Sequence, residues 1–266
     1  MFNVTDYPLL VFALSFTVLW LSERIAWSFI RKKRVLDEDI RQDLSLLQAA
    51  TLTLLSLLIG FSFSMAISRY DQRKNYEEEE ANAIGTEYVR ADLLPVADRA
   101  KLRVLLRNYL DQRVLFYITR DEQQLRQINT HTTQLQTELW SAVQAPATVQ
   151  QTPIVALAVS GMNDVLNSQG YTQAAYWNRI PPAAWALMAA IAICCNLLVG
   201  YGSRSVKEGS NLLVILPLVI SIAFMLIADI DSPHHGFIHV RPQNLISLAE
   251  SLRPHLSGKP EGLLSP

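Results

Sequence analysis

At 266 residues, with half of them apolar, 18% charged and a formal net charge of -1, the chain is too apolar for an ordinary soluble domain and has no basic excess with which to hold nucleic acid. Its apolar residues are gathered into blocks, and the stretches between them carry nearly all the charge, as expected where a lipid bilayer solvates one part and water the other. No Gly-rich phosphate loop, paired-cysteine motif or nucleophile elbow occurs, so the common signatures of soluble enzymes are absent and neither catalysis nor a cofactor is expected.

A helix that crosses the hydrocarbon needs about 20 mostly apolar residues. The first candidate runs from Leu9 to Ile30, with Trp20 and Trp27 toward its far end. Glu23 and Arg24 interrupt it, close to the basic flank Arg31, Lys32, Lys33 and Arg34, where long side chains snorkel and opposite charges partly compensate. Asp6, and the lack of Lys or Arg before the apolar run, fit a retained anchor better than a cleaved signal sequence. The second candidate, Leu44 to Ile67, is uncharged after Asp43 and closes on Arg69, Tyr70 and Asp71; it is the clearest span in the chain.

No Pro or Gly interrupts the chain from Arg69 to Ile84, so the second helix is expected to run on into water, tolerate Gly85, and stop near Leu94 and Pro95. An amphipathic helix follows from about Asp98 to Ile118, with Leu102, Leu105, Leu106, Tyr109, Arg113 and Phe116 at three-four spacing. Thr119 is expected to cap another helix through about Val143, with Leu125, Ile128, Leu135 and Leu139 on one side. Ala145 to Pro153 reads as a loop. A last helix from near Pro153, broken around Gly170, carries Ile154, Leu157, Val165 and Leu166 back toward the membrane. Strand signals are weak throughout, and the segment reads as an antiparallel helical bundle.

The third span starts after Pro181 and Pro182, with Trp185 at the interface, and continues from Ala183 to Tyr201 without a charge. Cys194 and Cys195 lie inside it as small packing residues. The fourth span, Leu212 to Ala228, contains Pro217, expected to kink it, and closes on Asp229 and Asp231. The expected fold is therefore all-α, with four spans and an inserted helical bundle continuous with the second of them. Its parts are residues 1–68 with the first two spans, 69–181 as the extramembrane helical domain, 182–228 with the last two spans, and 229–266 as an extramembrane tail. Lys and Arg are concentrated in the short loops, five between Arg31 and Arg41, and Arg204 with Lys207. The positive-inside rule then places those loops in the cytoplasm, with both termini and residues 69–181 on the other side of the membrane.

Three groups of residues are candidates for function. Ser56, Gly60, Ser64 and Ser68 recur every fourth residue on the second span. Such a ridge either lets two helices approach closely or lines a pore, with Phe61, Phe63 and Ile67 supplying an apolar constriction. Beyond the span the charge changes sign, from Arg69, Arg73 and Lys74 to Glu77, Glu78, Glu79 and Glu80. This is either a solvated helix face or, in copies around an axis, a charged vestibule formed by Arg69, Arg73, Glu77, Glu78 and Glu80. Asp231, His234, His235 and His239 are possible metal donors without a diagnostic spacing, so no metal site is expected.

The run Gly60, Phe61, Ser62, Phe63, Ser64, Met65, Ala66, Ile67, Ser68, Arg69, Tyr70 resembles the second span of bacterial bestrophin-like domain proteins. Glu80 to Ile84, Leu93 to Pro95 with Arg99, Leu102 and Tyr109, Pro181 with Pro182 and Trp185, and Asp231 to Gly236 with Val240 and Pro242 are similar to later blocks of that family. His234 departs from the aromatic residue common after the proline. The resemblance implies a membrane-embedded homo-oligomer in a bacterial inner membrane, a pentamer by likeness to true bestrophins, which are anion channels lined by their second span. Those proteins keep the domain between the second and third spans in the cytosol, whereas the basic loops here put it on the opposite side. The expected function is a channel or pore for small inorganic ions, most simply anions. The alternative is a non-conducting scaffold or sensor whose helical domain binds a partner or ligand.

Overall fold

The computed structural model describes residues 4–30, 38–149, 151–202 and 214–253, and among these every regular element is helical. In chain order they are α1 (Pro8–Ile30), α2 (Glu38–Arg90), α3 (Val96–Ile118), α4 (Glu122–Val149), α5 (Pro153–Trp177), α6 (Pro182–Gly202), α7 (Ile215–Asp231) and α8 (Gln243–Ser251). Short 3-10 turns precede α1 at Val4–Asp6 and follow α2 at Ala91–Leu93. Pro8–Ser28, Gln42–Leu93 and Pro153–Gly202 each contain a stretch long and apolar enough to cross a membrane. α7 is 17 residues long. The start of the expected fourth span, at Leu212, lies outside the described residues, as do Arg31 to Arg34, Arg204 and Lys207, which carried the sidedness argument.

The chain forms two compact units, Met1–Lys74 with Gln173–Val240, and Asn75–Thr172 with Arg241–Pro266. In the first unit, α1 packs on α6 and α7. Its core joins Val11 and Leu19 of α1, Leu55 of α2, Met188 and Ala192 of α6, and Ile220 and Phe224 of α7. Trp185 stacks edge-on against Phe224, with ring centroids 6.1 Å apart. α1 and α6 approach backbone to backbone at Gly200, where a Cβ would fall 2.3 Å from the Glu23 carbonyl oxygen. Backbone against backbone leaves no flexible end to move aside. Gly200→Val is therefore expected to force the two helices apart and cost about 1–3 kcal/mol, the usual penalty of overpacking, measured as a lowered midpoint of thermal unfolding in detergent. A variant that melts with the parent would show that the pair is looser than this contact requires.

Pro217 is the third residue of α7, and the first intrahelical bond runs from the Leu218 N–H to Val214. The expected kink is thus corrected: in the first turn a missing N–H has no intrahelical acceptor to lose, so the proline opens this helix instead of bending it.

The second unit is built on the hairpin of α3 and α4. Leu102, Leu105, Leu106, Tyr109, Arg113 and Phe116 are all buried, so the three-four stripe of α3 faces inward as its spacing requires. Three local expectations are corrected. Thr119 ends α3 by donating its N–H to Leu115, and it is the Asp121 carboxylate that caps α4 by accepting the Gln124 N–H at 2.7 Å. α4 continues through Pro146 to Val149, because that proline is buried on the same face as Leu139, Ala142 and Val143, and packing outweighs propensity. α5 passes Gly170 unbroken; nothing lies within 4 Å of a Cβ there, so the glycine weakens the helix without ending it. The buried stripe of α5 is Val155, Ala158, Met162 and Val165, while the expected Ile154 and Leu157 are exposed. α8, which no sequence pattern announced, buries Leu245.

Candidate functional site

α2 carries every residue of the candidate ridge and of the charge run, and one periodicity governs both. Leu55, Ser62, Ala66, Arg73, Glu77, Glu80, Ile84 and Glu87 are buried, at intervals of three, four or seven, so a single stripe of the helix faces its own chain throughout. Ser56, Gly60, Phe63, Ser64, Ile67 and Ser68 fall off that stripe and are all exposed. A Cβ on Gly60 would meet nothing within 4 Å. Ser56 donates its hydroxyl hydrogen back to the Leu52 carbonyl, which satisfies the donor within the helix.

The charges divide between the two units. In the first unit, Asp231 is a hub at the C-terminal end of α7. Both of its carboxylate oxygens accept the Ile180 N–H at 3.2 Å, and one pairs with the Arg69 guanidinium at 3.3 Å. Arg179 lies 3.5 Å from the other and also pairs with Asp6. Arg73 is buried and donates to the carbonyls of Ile230 and Asp231 at 2.5 and 3.2 Å, so its charge meets the negative end of the α7 dipole. This layer fixes the start of α6, the end of α7 and the N-terminal turn against the same turns of α2. Asp229, one half-turn deeper, accepts the N–H groups of Phe237 and Ile238 at 2.6 and 3.0 Å.

In the second unit, Glu80 accepts from Arg113 of α3, from the Tyr117 hydroxyl at 3.3 Å and from the Thr172 hydroxyl at 3.2 Å. Glu77 accepts the Leu245 N–H at 3.0 Å and the Asn244 amide at 2.7 Å, holding the first turn of α8. The carboxylate thus does for this helix what an N-cap side chain ordinarily does. Glu87 is buried against Gly161 of α5, and among the described residues neither of its oxygens has a hydrogen-bond partner.

Of the five charges expected to edge a vestibule, Arg73, Glu77 and Glu80 are therefore buried and engaged inside their own chain, and Arg69 is half-buried on Asp231. Glu78 alone is exposed. The reason is the stripe: positions 73, 77 and 80 continue the inward face begun by Leu55 and Ala66, a signal present in the spacing that the charge pattern masked. No local pattern marks Arg113 and Asn244, which pair with Glu80 and Glu77, or Arg179 and Asp6, which pair with each other beside Asp231, as site residues, because nothing nearby in sequence ties them to these groups. The possible metal donors also have other roles. Asp231 serves the hub, His234 packs on Tyr176 with centroids 5.0 Å apart, His235 packs on Tyr7 at 5.5 Å, and His239 Nδ1 lies 3.1 Å from the Phe237 carbonyl. Among the described residues no three His, Cys, Asp or Glu side chains are grouped to hold a metal ion.

The fold that carries this helix is one that solved structures share. A point mutant of a bacterial bestrophin homologue from Klebsiella pneumoniae superposes with a TM-score of 0.63 at 12% identity, over 91% of this chain and 97% of that one. A second structure, described as a membrane protein, gives 0.62 at 13% identity over 90% and 97%. A further structure of the Klebsiella pneumoniae homologue gives 0.61 at 14% identity over 90% and 96%. At these identities the likeness establishes the fold. No curated protein matches the sequence significantly. The family model for the bestrophin-like domain matches residues 10–245, which take in all eight helices in whole or in part, and the chain belongs to the bestrophin-like domain family.

Proposed function

We propose that this protein is a homo-oligomeric ion channel or pore of a bacterial inner membrane, passing small anions along an axis lined by the Ser56, Gly60, Phe63, Ser64, Ile67 and Ser68 face of α2. The observation that carries the reading is that this face is left uncovered by its own chain while the opposite face of the same helix is packed. Hydroxyls and a glycine give a wettable wall, and Phe63 with Ile67 give an apolar ring that conducts or closes by wetting and dewetting. Four spans, a pentameric ring, and termini and residues 69–181 outside the cytoplasm belong to the same reading. Membership of the family and the three long apolar helices support the membrane-channel part of the reading, and the sidedness rests on the basic short loops. Arg73, Glu77 and Glu80 are here given a bracing role, which leaves Glu78 as the exposed one of the five expected vestibule charges and assigns selectivity to the ridge.

The test is purified protein in planar bilayers. Unitary currents whose reversal potential follows a chloride gradient are expected, and Gly60→Trp or Ser64→Trp is expected to abolish them by filling the axis while leaving the oligomer intact. Silence across salts, pH values and divalent ions would remove the channel and leave the non-conducting scaffold, a reading favoured by the internal use of three charges that a vestibule would otherwise display.

A further inference from the structure

The loop after α7 is held at an unusual depth for a connection. Ile180, two residues before α6 begins, donates its N–H to Asp231 at the end of α7, and Arg179 pairs with Asp6, two residues before α1 begins. The starts of α1 and α6 and the end of α7 therefore lie in one layer, which is where three apolar helices enter or leave the hydrocarbon. The chain does not continue outward from that layer. It turns back, so that Asp229, inside the last turn of α7, binds the N–H groups of Phe237 and Ile238. Helical side chains tilt toward the N-terminus, which carries the Asp229 carboxylate deeper still. A Cβ on Gly236 would fall 2.3 Å from the Asp229 carbonyl oxygen, so the loop backbone lies directly against the helix at that point.

The result is a pair of apolar side chains displayed at the depth of a span end: Phe237 is 69% exposed and Ile238 41%. In the same layer Tyr7 is 41% exposed, beside His235, and Trp177 is 75% exposed, two residues before Arg179. Exposed aromatic and aliphatic side chains in water lose free energy for every apolar Å² left uncovered, and aromatic rings gain at the boundary between lipid headgroups and acyl chains. We infer that the 232–240 loop is a membrane-docking element, with Phe237 and Ile238 inserted into the headgroup–acyl boundary and Asp229 serving as the clamp that sets their depth. This surface rests on the reading of α1, α6 and α7 as spans.

The experiment uses the full chain in phosphatidylcholine–phosphatidylglycerol nanodiscs. With Cys194 and Cys195 replaced by alanine, a nitroxide is placed at Phe237→Cys, and separately at Leu14→Cys on the exposed side of α1 (48% exposed). Collisions with oxygen and with a water-soluble nickel chelate are measured by power saturation. A position-237 label several-fold more accessible to oxygen than to nickel, as at position 14, is the expected result, and Asp229→Ala should shift it toward nickel by releasing the clamp. Nickel access at position 237 with position 14 protected would overturn the loop proposal. Protection of position 237 from both reagents would overturn it too, because a neighbouring copy of the chain would then cover the loop. Nickel access at position 14 would instead remove the spanning reading of α1. Ile238→Cys provides the same measurement should position 237 label poorly.

Discussion

Arg113→Met is expected to lower the stability of the second unit by about 3–5 kcal/mol, the cost of leaving one member of a buried ion pair without its partner. Arg113 and Glu80 have side chains that are 0% exposed. The guanidinium gives two N–H groups to Glu80 and lies 4.5 Å from the centre of the Phe116 ring, so charge, hydrogen bonds and stacking are lost together. Glu80 would keep only the two neutral hydroxyl donors of Tyr117 and Thr172, too few for a desolvated carboxylate. Because Glu80 links α2 to α3 and α5, the loss should spread over three helices, seen as faster amide hydrogen exchange along all of them. The double variant Glu80→Leu with Arg113→Met is expected to recover most of the stability, since two apolar side chains remove the unpaired charge. If the single variant exchanged at the parental rate, the pair would be decoration on a fold held by its apolar stripe.

A second large effect concerns pH. Burial pushes the Glu87 carboxyl up to about 8, opposed by Arg90 and reinforced by Asp164. Arg90 and Asp164 pair with each other at 3.7 Å across the same contact, and Arg99 and Arg103 of α3 are occupied by Asp92. Glu87 lies about 20 residues past Ile67, or ~30 Å along α2, outside the second span as its apolar residues define it. A carboxyl whose folded value is raised holds its proton in the folded chain after the unfolded chain has lost it. Between the unfolded value of 4.5 and about 8, stability should therefore fall as pH rises, by at most about 1.4 kcal/mol per pH unit, and level off above. Glu87→Gln keeps the shape without the titration and is expected to flatten that slope in a series of melts from pH 5 to pH 9. An unchanged slope would place the titrating group elsewhere.

Much of the architecture was legible in the residues because the bilayer is a demanding solvent. Apolar runs bounded by Pro8, Pro182, Asp229 and Asp231 had to be helices, and α3 had to turn Leu102, Leu106 and Tyr109 to one side, since 3.6-residue periodicity is a local property. The long continuation of α2 was readable for the same reason: nothing between Arg69 and Ile84 could stop it. Errors fell where a local rule competed with packing. Pro146 stays helical because its ring is buried, and Ile154 and Leu157 turn outward because Val155 and Ala158 meet the unit's core. The charges of α2 misled in the same manner, since a run of glutamates looks solvated until the partners of Glu77 and Glu80 are known.

The sequence alone determined the membrane class, the helical content, the family and the stretch of α2 on which a hydroxyl ridge sits, all of which follow from composition and from spacing along one chain. Only the tertiary structure decided which groups meet Arg73, Glu77 and Glu80, that Asp231 ties together the ends of three helices, and that Asp229 folds the last loop back along α7. Each of those depends on partners between about 30 and 170 positions apart, or on a turn whose direction no residue type dictates. A side chain's pairing is set by what folding brings beside it, and no local pattern records that.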